Sequence, residues 1–493
     1  MQLHSLLQNI EHETIHHGEN IDISSLHLDS QEVEKGGLFF AVPGALQDGH
    51  DFIDQAVERG AVAIVCEEFP DVMDETVHYV RVDNVRQTMG KIAHLFYDKP
   101  STRLKVVAVT GTNGKTTVAM VLHQLFQNMG YDAGLLSTVE NKINDEVMPH
   151  DDGATTTQHA LALHKAFARM IEAGCEYCFM EVSSHALDQY RVSGIEFTGA
   201  IFMNITHDHL DYHGTFKNYM TAKKKLFDML HPHTWALANM DDENGEFMLQ
   251  HSKAAQYYYG FQKEDGSFSG KLSFEGELIE NTFDGITITA NGEVVCSNLI
   301  GSFNAYNMLA VYGSAKLLDI GHGAVAKAFE TIKPAPGRFE IVRNGDRVGI
   351  VDYAHTPDAL ENVLKTLHAI KKEDQKIVTV IGCGGDRDVE KRPVMARIAQ
   401  SLSSAIVLTS DNPRTEEPLS IINDMKEGLA QRDNDVVHIV PDRAEAIDTA
   451  VYVAGENGII LVAGKGHETY QIIGTENIDF DDRKILREKL GKY

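Results

Sequence analysis

The sequence predicts an α/β protein of three domains in succession, and three observations carry that expectation. A chain of 493 residues exceeds what one hydrophobic core usually organises. Short apolar runs alternate with amphipathic helical stretches along most of its length, the pattern of parallel sheets with crossover helices. Two polar stretches containing proline, "YDKPSTR" (97–103) and "KPAPGRFE" (333–340), interrupt that alternation and read as linkers. They divide the chain into 1–102, 103–333 and 334–493.

Each part justifies itself by its elements. In the first, "GGLFFAVPG" (36–44) and "AVAIVCEE" (61–68) read as strands and "HDFIDQAVERG" (50–60) as a helix. The second opens on the strand "LKVVAVT", followed by a helical run to Gly130 and strands at "AGLLST", "YCFMEV" and "GAIFMNI". Residues 255–300 carry short alternating strands with turn glycines, an expected antiparallel hairpin layer. In the third part, "VGIVDYAH", "KIVTVIGCGG", "AIVLTSDNP", "DVVHIVPD" and "GIILVAGKG" are strands separated by helices.

Composition excludes several classes. A net charge of −28 argues against a nucleic-acid surface, which needs clustered cations. The first residues, "MQLHSLLQNIEHETIHH", lack the basic start and apolar run of a signal peptide, and no stretch has the length of a membrane span. The five cysteines are scattered, and Cys175 and Cys178 fall at the edge of an apolar run as core thiols rather than a redox pair. A reducing, cytoplasmic location is expected.

The chemistry begins at "VVAVTGTNGKTTV" (106–118). Gly114, Lys115 and Thr116 end a phosphate-loop pattern whose first glycine falls on Val109, with Gly111 supplying the turn instead. Strand, loop and helix N-terminus stand in the order that directs backbone amides at phosphate oxygens. Lys115 suits the β- and γ-phosphates, and the Thr116 hydroxyl suits Mg²⁺. Glu181 in "CFMEVSSHALDQYR" and His207, Asp208, His209 and Asp211 in "IFMNITHDHLDYHGT" follow strands of the same predicted sheet, so they converge on that loop. Alone, "HDHLDYH" is a solvated loop or a weak zinc candidate; beside phosphates, magnesium is the better expectation.

"TGTNGKTT", "MEVSSHAL", "NITHDHLDYH", "YMTAKKKLF", "GSFNAYNMLAVY", "PGRFE", "VDYAHTPDAL", "GCGGDRDVEKRP", "SDNPRTEEP" and "VAGKGHETYQ" resemble, in that order, the motifs of the Mur ligases, ATP-dependent amide-bond-forming enzymes that build the peptidoglycan stem peptide. "GTNGKTT" also occurs in folylpolyglutamate synthases; "GCGGDRD", "DNPR" and "GKGHE" are far more discriminating. The resemblance implies a nucleotide-sugar-binding domain, a central phosphate-loop ATPase domain and a Rossmann-like third domain. It implies that ATP phosphorylates the D-glutamate side chain of a UDP-linked muramoyl dipeptide, and that an amino acid's amine attacks the acyl phosphate. The enzyme is expected to work as a monomer.

The same resemblance assigns residues. Gly111, Thr112, Asn113, Gly114, Lys115, Thr116 and Thr117 would hold the phosphates, with Asn304 and Asn307 near the adenine and Arg338 and Asp352 reaching phosphate and ribose. Thr116, Glu181 and His209 match positions around two Mg²⁺ ions, joined by a lysine carbamylated by CO₂. The family's spacing places that lysine at Lys223, with Lys224 and Lys225 alongside as alternative registers. Ser30, Ala45, Leu46, Gln47, Thr156, Thr157, Ser183, Gln189 and Arg191 match contacts of the UDP-linked substrate. This chain departs from the family at Gln31 (for arginine), Thr155 (for asparagine) and Gln158 (for proline), which leaves the register of the threonine pair open by one. Arg387, Asp411, Asn412, Pro413, Arg414, Gly464 and Glu468 match the incoming amino acid. Relatives adding lysine lack the arginine of "DNPR", so Arg414 favours meso-diaminopimelate over L-lysine. A folylpolyglutamate-type ligase and a non-enzymatic nucleotide switch stand as alternatives.

Overall fold

The structure, a computed structural model, describes residues 1–15, 21–44, 47–149, 155–345, 347–430 and 436–492. Among the described residues, three large sheets and a two-stranded hairpin, Tyr470–Ile473 with Glu476–Asp479, organise the chain. The first has five strands, Glu13–Ile15, His78–Arg81, Ala61–Cys66, Gly37–Phe40 and Ser25–His27 in spatial order, parallel except for the first pair. The helix Val85–Phe96 buries Val85, Met89, Ile92 and Ala93 in the same core as Leu38, Phe40, Ala63 and Val65 of this sheet.

The central sheet has eleven strands. Its middle runs Trp235–Asn239, Gly199–Phe202, Lys105–Thr110, Tyr177–Glu181 and Ala133–Leu136, all parallel. Along Lys105–Thr110, Val106 and Ala108 enter one core while Val107 and Val109 enter the other. That is why the run is continuously apolar: side chains alternate, and both faces are covered. From this strand the chain builds first toward Ala133–Leu136 and later toward Gly199–Phe202 on the other side. Lys105–Thr110 is therefore the switch point, where the C-terminal ends of parallel strands open a crevice.

Residues 255–300 form the expected antiparallel hairpin layer only in part. Ala255–Phe261 continues the central sheet in parallel beside Trp235–Asn239, and Phe274–Thr282 pairs with it, again parallel. Only Phe274–Thr282, Gly285–Ala290 and Glu293–Ser297 form an antiparallel meander, at the sheet's edge. Ile286, Ile288 and Val295 point into the core beneath the phosphate-loop helix, so the meander closes one face of the same domain. The opposite edge ends in a hairpin, Asn141–Ile143 and Glu146–Met148, that periodicity did not suggest.

The third sheet runs Glu340–Asn344, Arg347–Asp352, Ile459–Ala463, Ile377–Ile381, Ala405–Leu408 and Val437–Ile439, parallel after the first pair. Ile459, Leu461 and Ala463 face one core and Ile460 and Val462 the other. The loops after Asp352, Ile381, Leu408 and Ala463 consequently leave from one edge. A fully buried pair braces that edge: Arg443 Nη2 donates to Asp482 Oδ2 at 2.8 Å and to the Ala463 carbonyl at 3.0 Å, while Nη1 reaches the Ser410 carbonyl at 3.2 Å. Cys175 and Cys178 are free and buried, and burial pushes both thiols up, Cys175 to about 11.

Candidate active site

The phosphate loop lies between the strand Lys105–Thr110 and the helix Lys115–Asn128, with Gly114 at φ +87° opening the helix. Its shape is fixed from behind. Asn204 accepts from the Thr112 amide through its carbonyl at 2.9 Å and from the Asn113 amide through its side chain at 2.8 Å. Lys115 Nζ donates to the Gly111 and Thr112 carbonyls, both at 2.9 Å, so the ammonium stands over the loop. Burial lowers its pKa, against the attraction of Glu181 and Asp208.

A cavity of about 500 Å³ opens over this loop. Thr112 to Thr117, Thr156, Glu181, Asp208 and His209 line it from the central domain, Asn307 and Tyr306 from the helix Ser302–Leu317, and Arg338, Asp352, Tyr353 and His355 from the third part of the chain. Glu181 is buried; its Oε2 accepts from Thr116 Oγ1 at 3.0 Å and its Oε1 from the Thr138 amide at 2.7 Å. Arg338 Nη2 donates to the same Thr116 hydroxyl at 3.2 Å, and its guanidinium covers the Tyr353 ring at 4.5 Å. Asp352 accepts from the Phe339 amide at 2.7 Å, and burial raises its pKa.

Among the described residues no group of three or more His, Cys, Asp or Glu is arranged to hold a metal by itself. Magnesium beside a nucleotide does not need one, since one or two protein oxygens suffice when phosphates and water complete the shell. The Glu181 carboxylate and Thr116 hydroxyl fit that kind of site. His209, at φ +53° before the short helix Leu210–His213, has its pKa lowered to about 4 by burial, which keeps the imidazole neutral, the form a metal ligand requires.

The three adjacent lysines have different surroundings. Lys224 pairs with Asp228 and Lys225 with Asp188. Lys223 is buried and donates to the Gly111 carbonyl at 2.8 Å, beneath the phosphate loop rather than on the cavity wall. Burial holds its pKa well below the ordinary lysine value, and the Lys115 charge adds to this.

Family models match most of the chain: the Mur ligase family catalytic domain at residues 22–97, the Mur ligase middle domain at 109–315, and the Mur ligase glutamate ligase domain at 337–466. The chain belongs to the Mur ligase family. It is 47% identical to a UDP-N-acetylmuramoyl-L-alanyl-D-glutamate–2,6-diaminopimelate ligase of Parabacteroides distasonis and 43% identical to one of Geobacillus thermodenitrificans, over 99% of each chain in both cases. A solved structure of a ligase of that name superposes with a TM-score of 0.68 at 32% identity over 95% of each chain. A Mycobacterium tuberculosis folylpolyglutamate synthase complexed with ADP matches 77% of this chain and 91% of its own, with a TM-score of 0.61 at 17% identity, a likeness of fold alone.

Against this family background, several expected residues take unexpected places. Asn304 lies behind the cavity lining: its amide donates to the Ile300 carbonyl at 2.7 Å, and its oxygen accepts from the Asn307 amide at 2.7 Å. The Asn113 side chain leaves the phosphate loop and donates to Asp358 Oδ2 at 2.8 Å. Ser30 is buried with its hydroxyl donating to Gln55 at 2.6 Å, and Gln47 is exposed; Ala45 and Leu46 lie outside the described residues. Gln189 and Arg191 line a second cavity of about 240 Å³ together with Thr155, His159 and the first-domain residues Leu28, Val42, Arg86 and Met89. Arg191 Nη1 donates to the Thr157 carbonyl at 2.7 Å, and the Thr157 hydroxyl joins Glu181 to the Ser183 amide.

In the third domain of this Mur ligase, Arg387 and Arg414 approach one glycine. A Cβ on Gly384 would lie 2.9 Å from Arg414 Nη1 and 3.7 Å from Arg387 Cγ. Arg414 sits at φ +52° and donates to the Gly385 carbonyl at 2.8 Å, while Arg387 is exposed. Asp411 is buried against Gly464, and Pro413 passes so close to Gly385 that a side chain there would meet its carbonyl. Sequence reasoning missed Tyr353 and His355 as cavity residues and Lys465 beneath Glu468. The signal for the first two was their position just beyond a buried strand; Lys465 lay within the stretch Gly464 to Glu468 expected at the incoming amino acid, but nothing in the sequence marked it as buried.

Proposed function

We propose that this Mur ligase joins meso-diaminopimelate to the D-glutamate side-chain carboxylate of UDP-N-acetylmuramoyl-L-alanyl-D-glutamate, with ATP converted to ADP and phosphate. The observation that carries the acceptor choice is the pair Arg387 and Arg414 beside Gly384, because meso-diaminopimelate differs from lysine by a distal carboxylate that a guanidinium fork suits. The relatives named above support the same reading.

The chain's own groups divide the work. The amides of the phosphate loop and Lys115 bind the triphosphate of ATP, and Arg338 adds a cation at the Thr116 end of the cavity. Asn307 meets the base and Asp352 the ribose. The second cavity, with Gln189 and Arg191, receives the UDP-linked substrate and leads its carboxylate toward Thr156 and Glu181. That carboxylate oxygen attacks the γ-phosphorus as the bond to ADP breaks. The acceptor's amine nitrogen then attacks the acyl carbon, phosphate departs, and the nitrogen gives up its proton. Positioning and charge neutralisation supply most of the rate, since two anions must meet. Thr116, Glu181, His209 and a carbamate on Lys223 would hold Mg²⁺, which supplies further neutralisation of phosphate charge. Lys223 suits carbamylation because its described hydrogen bond goes to the Gly111 carbonyl, whereas Lys224 and Lys225 are each held in an ion pair with a carboxylate.

The deciding experiment incubates the protein with ATP, Mg²⁺ and the UDP-linked dipeptide, adding diaminopimelate, lysine or neither, and follows ADP release and product mass. Turnover that depends on diaminopimelate is expected. Equal kcat/KM for lysine would overturn the acceptor assignment, and turnover of a folate substrate in place of the dipeptide would overturn the whole reading.

A further inference from the structure

Among the described charged side chains, Lys465 is unusual in being wholly buried within the loops assigned to the amino-acid acceptor. It follows Gly464 at the end of the strand Ile459–Ala463. Its Nζ donates to Glu468 Oε2 at 2.7 Å and to Asn412 Oδ1 at 2.9 Å, and Asn412 Nδ2 donates to the same Glu468 Oε2 at 2.9 Å. The three side chains thus close a ring that ties the "DNPR" loop to the "GKGHE" loop. Asn412 Oδ1 also accepts from the Ile472 amide at 3.0 Å, so both ends of its amide are engaged inside the protein. The Asn412 side chain is therefore held in place by Lys465, Glu468 and the Ile472 amide.

The hydrogen bonds described for the Glu468 side chain both fall on Oε2. Two donors on one oxygen stop the carboxylate from rotating and leave Oε1 with a fixed direction. A carboxylate held this way is preorganised for an ammonium ion, since neighbours rather than the ligand have already restricted it. The compensating cation also makes the nearly buried Glu468 charge tolerable, because a buried charge without a partner is strongly destabilising.

We infer that Lys465 is a positioning residue for the amino-acid acceptor: it pins Glu468 Oε2, directly and through Asn412, so that Oε1 receives the acceptor's ammonium group. This rests on the functional reading above. Its test is a double-mutant cycle of Lys465→Met and Glu468→Gln, with the amino acid varied at saturating ATP and UDP-linked dipeptide. Wild-type turnover with diaminopimelate and with lysine is measured first, and KM is then read for whichever acceptor the enzyme uses. Lys465→Met is expected to raise acceptor KM by about 10-fold or more with ATP KM within about twofold, the signature of lost acceptor binding. The double variant is expected to match Glu468→Gln within about twofold, because Lys465 acts through Glu468. Losses that multiply, or an ATP KM that rises in parallel, would overturn the inference. If Lys465→Met does not fold, the comparison of the double variant with Glu468→Gln decides alone, since the carboxamide needs no compensating cation. Failure of wild-type turnover with either amino acid counts against the functional reading, whereas a multiplicative cycle on an active enzyme counts against Lys465 only.

Discussion

Asn113 of the phosphate loop donates its side-chain amide to Asp358 Oδ2 at 2.8 Å, and Asp358 lies in the first turn of the third-domain helix Pro357–Ile370. Thr206 reaches the same oxygen at 3.4 Å. The loop after Lys105–Thr110 is thereby joined to the first turn of a third-domain helix. A hydrogen bond to a charged group contributes about 1.5–3 kcal/mol. We expect Asn113→Ala and Asp358→Ala each to lower kcat by roughly 10-fold and the double variant to be little worse than either. ADP-release kinetics on the three variants would check this, and independent, multiplying losses would exclude the link.

Lys115→Ala should abolish ADP formation while leaving the fold intact, because its hydrogen bonds among the described residues go to carbonyls of its own loop. Circular dichroism would report the fold and a coupled assay the turnover. More than a tenth of wild-type activity would refute the assigned role.

Lys223→Ala should be nearly inactive and partly rescued by a short carboxylic acid that replaces the carbamate. Lys224→Ala should keep most of its activity, since that side chain merely pairs with Asp228. The reverse pattern would shift the modification by one residue.

Arg414→Ala should raise KM for diaminopimelate by about 10²-fold with KM for ATP nearly unchanged, because sites built around a polar contact lose strongly when it is removed. It need not gain lysine activity, as Arg387 remains. Steady-state kinetics with both amino acids test it; an unchanged KM for diaminopimelate would contradict the assignment.

Arg443→Ala should destabilise the third domain by about 3–5 kcal/mol, the usual consequence of leaving one member of a buried ion pair uncompensated. Denaturant unfolding monitored with and without ATP analogue would measure the loss. A change below about 1 kcal/mol would mean that Asp482 finds another partner.

The sheets were legible because burial on both faces writes itself as unbroken apolar runs, as at Lys105–Thr110 and Ile459–Ala463. The meander after Phe274 was legible as strands but not as part of the central sheet, since alternation fixes which residues face inward and not which neighbour a strand chooses. At the site, Lys115, Thr116, Glu181 and His209 stood out by following strands. The hydrogen-bond partners of Asn304, Asn412 and Lys465 did not, because a polar side chain bonded to another polar side chain has the same composition as one left open to a ligand. Spacing alone favoured Lys223 among the three lysines, and the different surroundings of Lys223, Lys224 and Lys225 could not be read from three identical residues in a row.

The hydrogen bonds that fix Asn412, Arg414, Lys465 and Glu468 all begin and end within the third domain. These loops can therefore be altered without touching the hydrogen bonds that shape the phosphate loop. Under the proposed assignment, replacing the acceptor would rewrite a few loop positions on one sheet edge and leave the Lys115 loop of the central domain as it is.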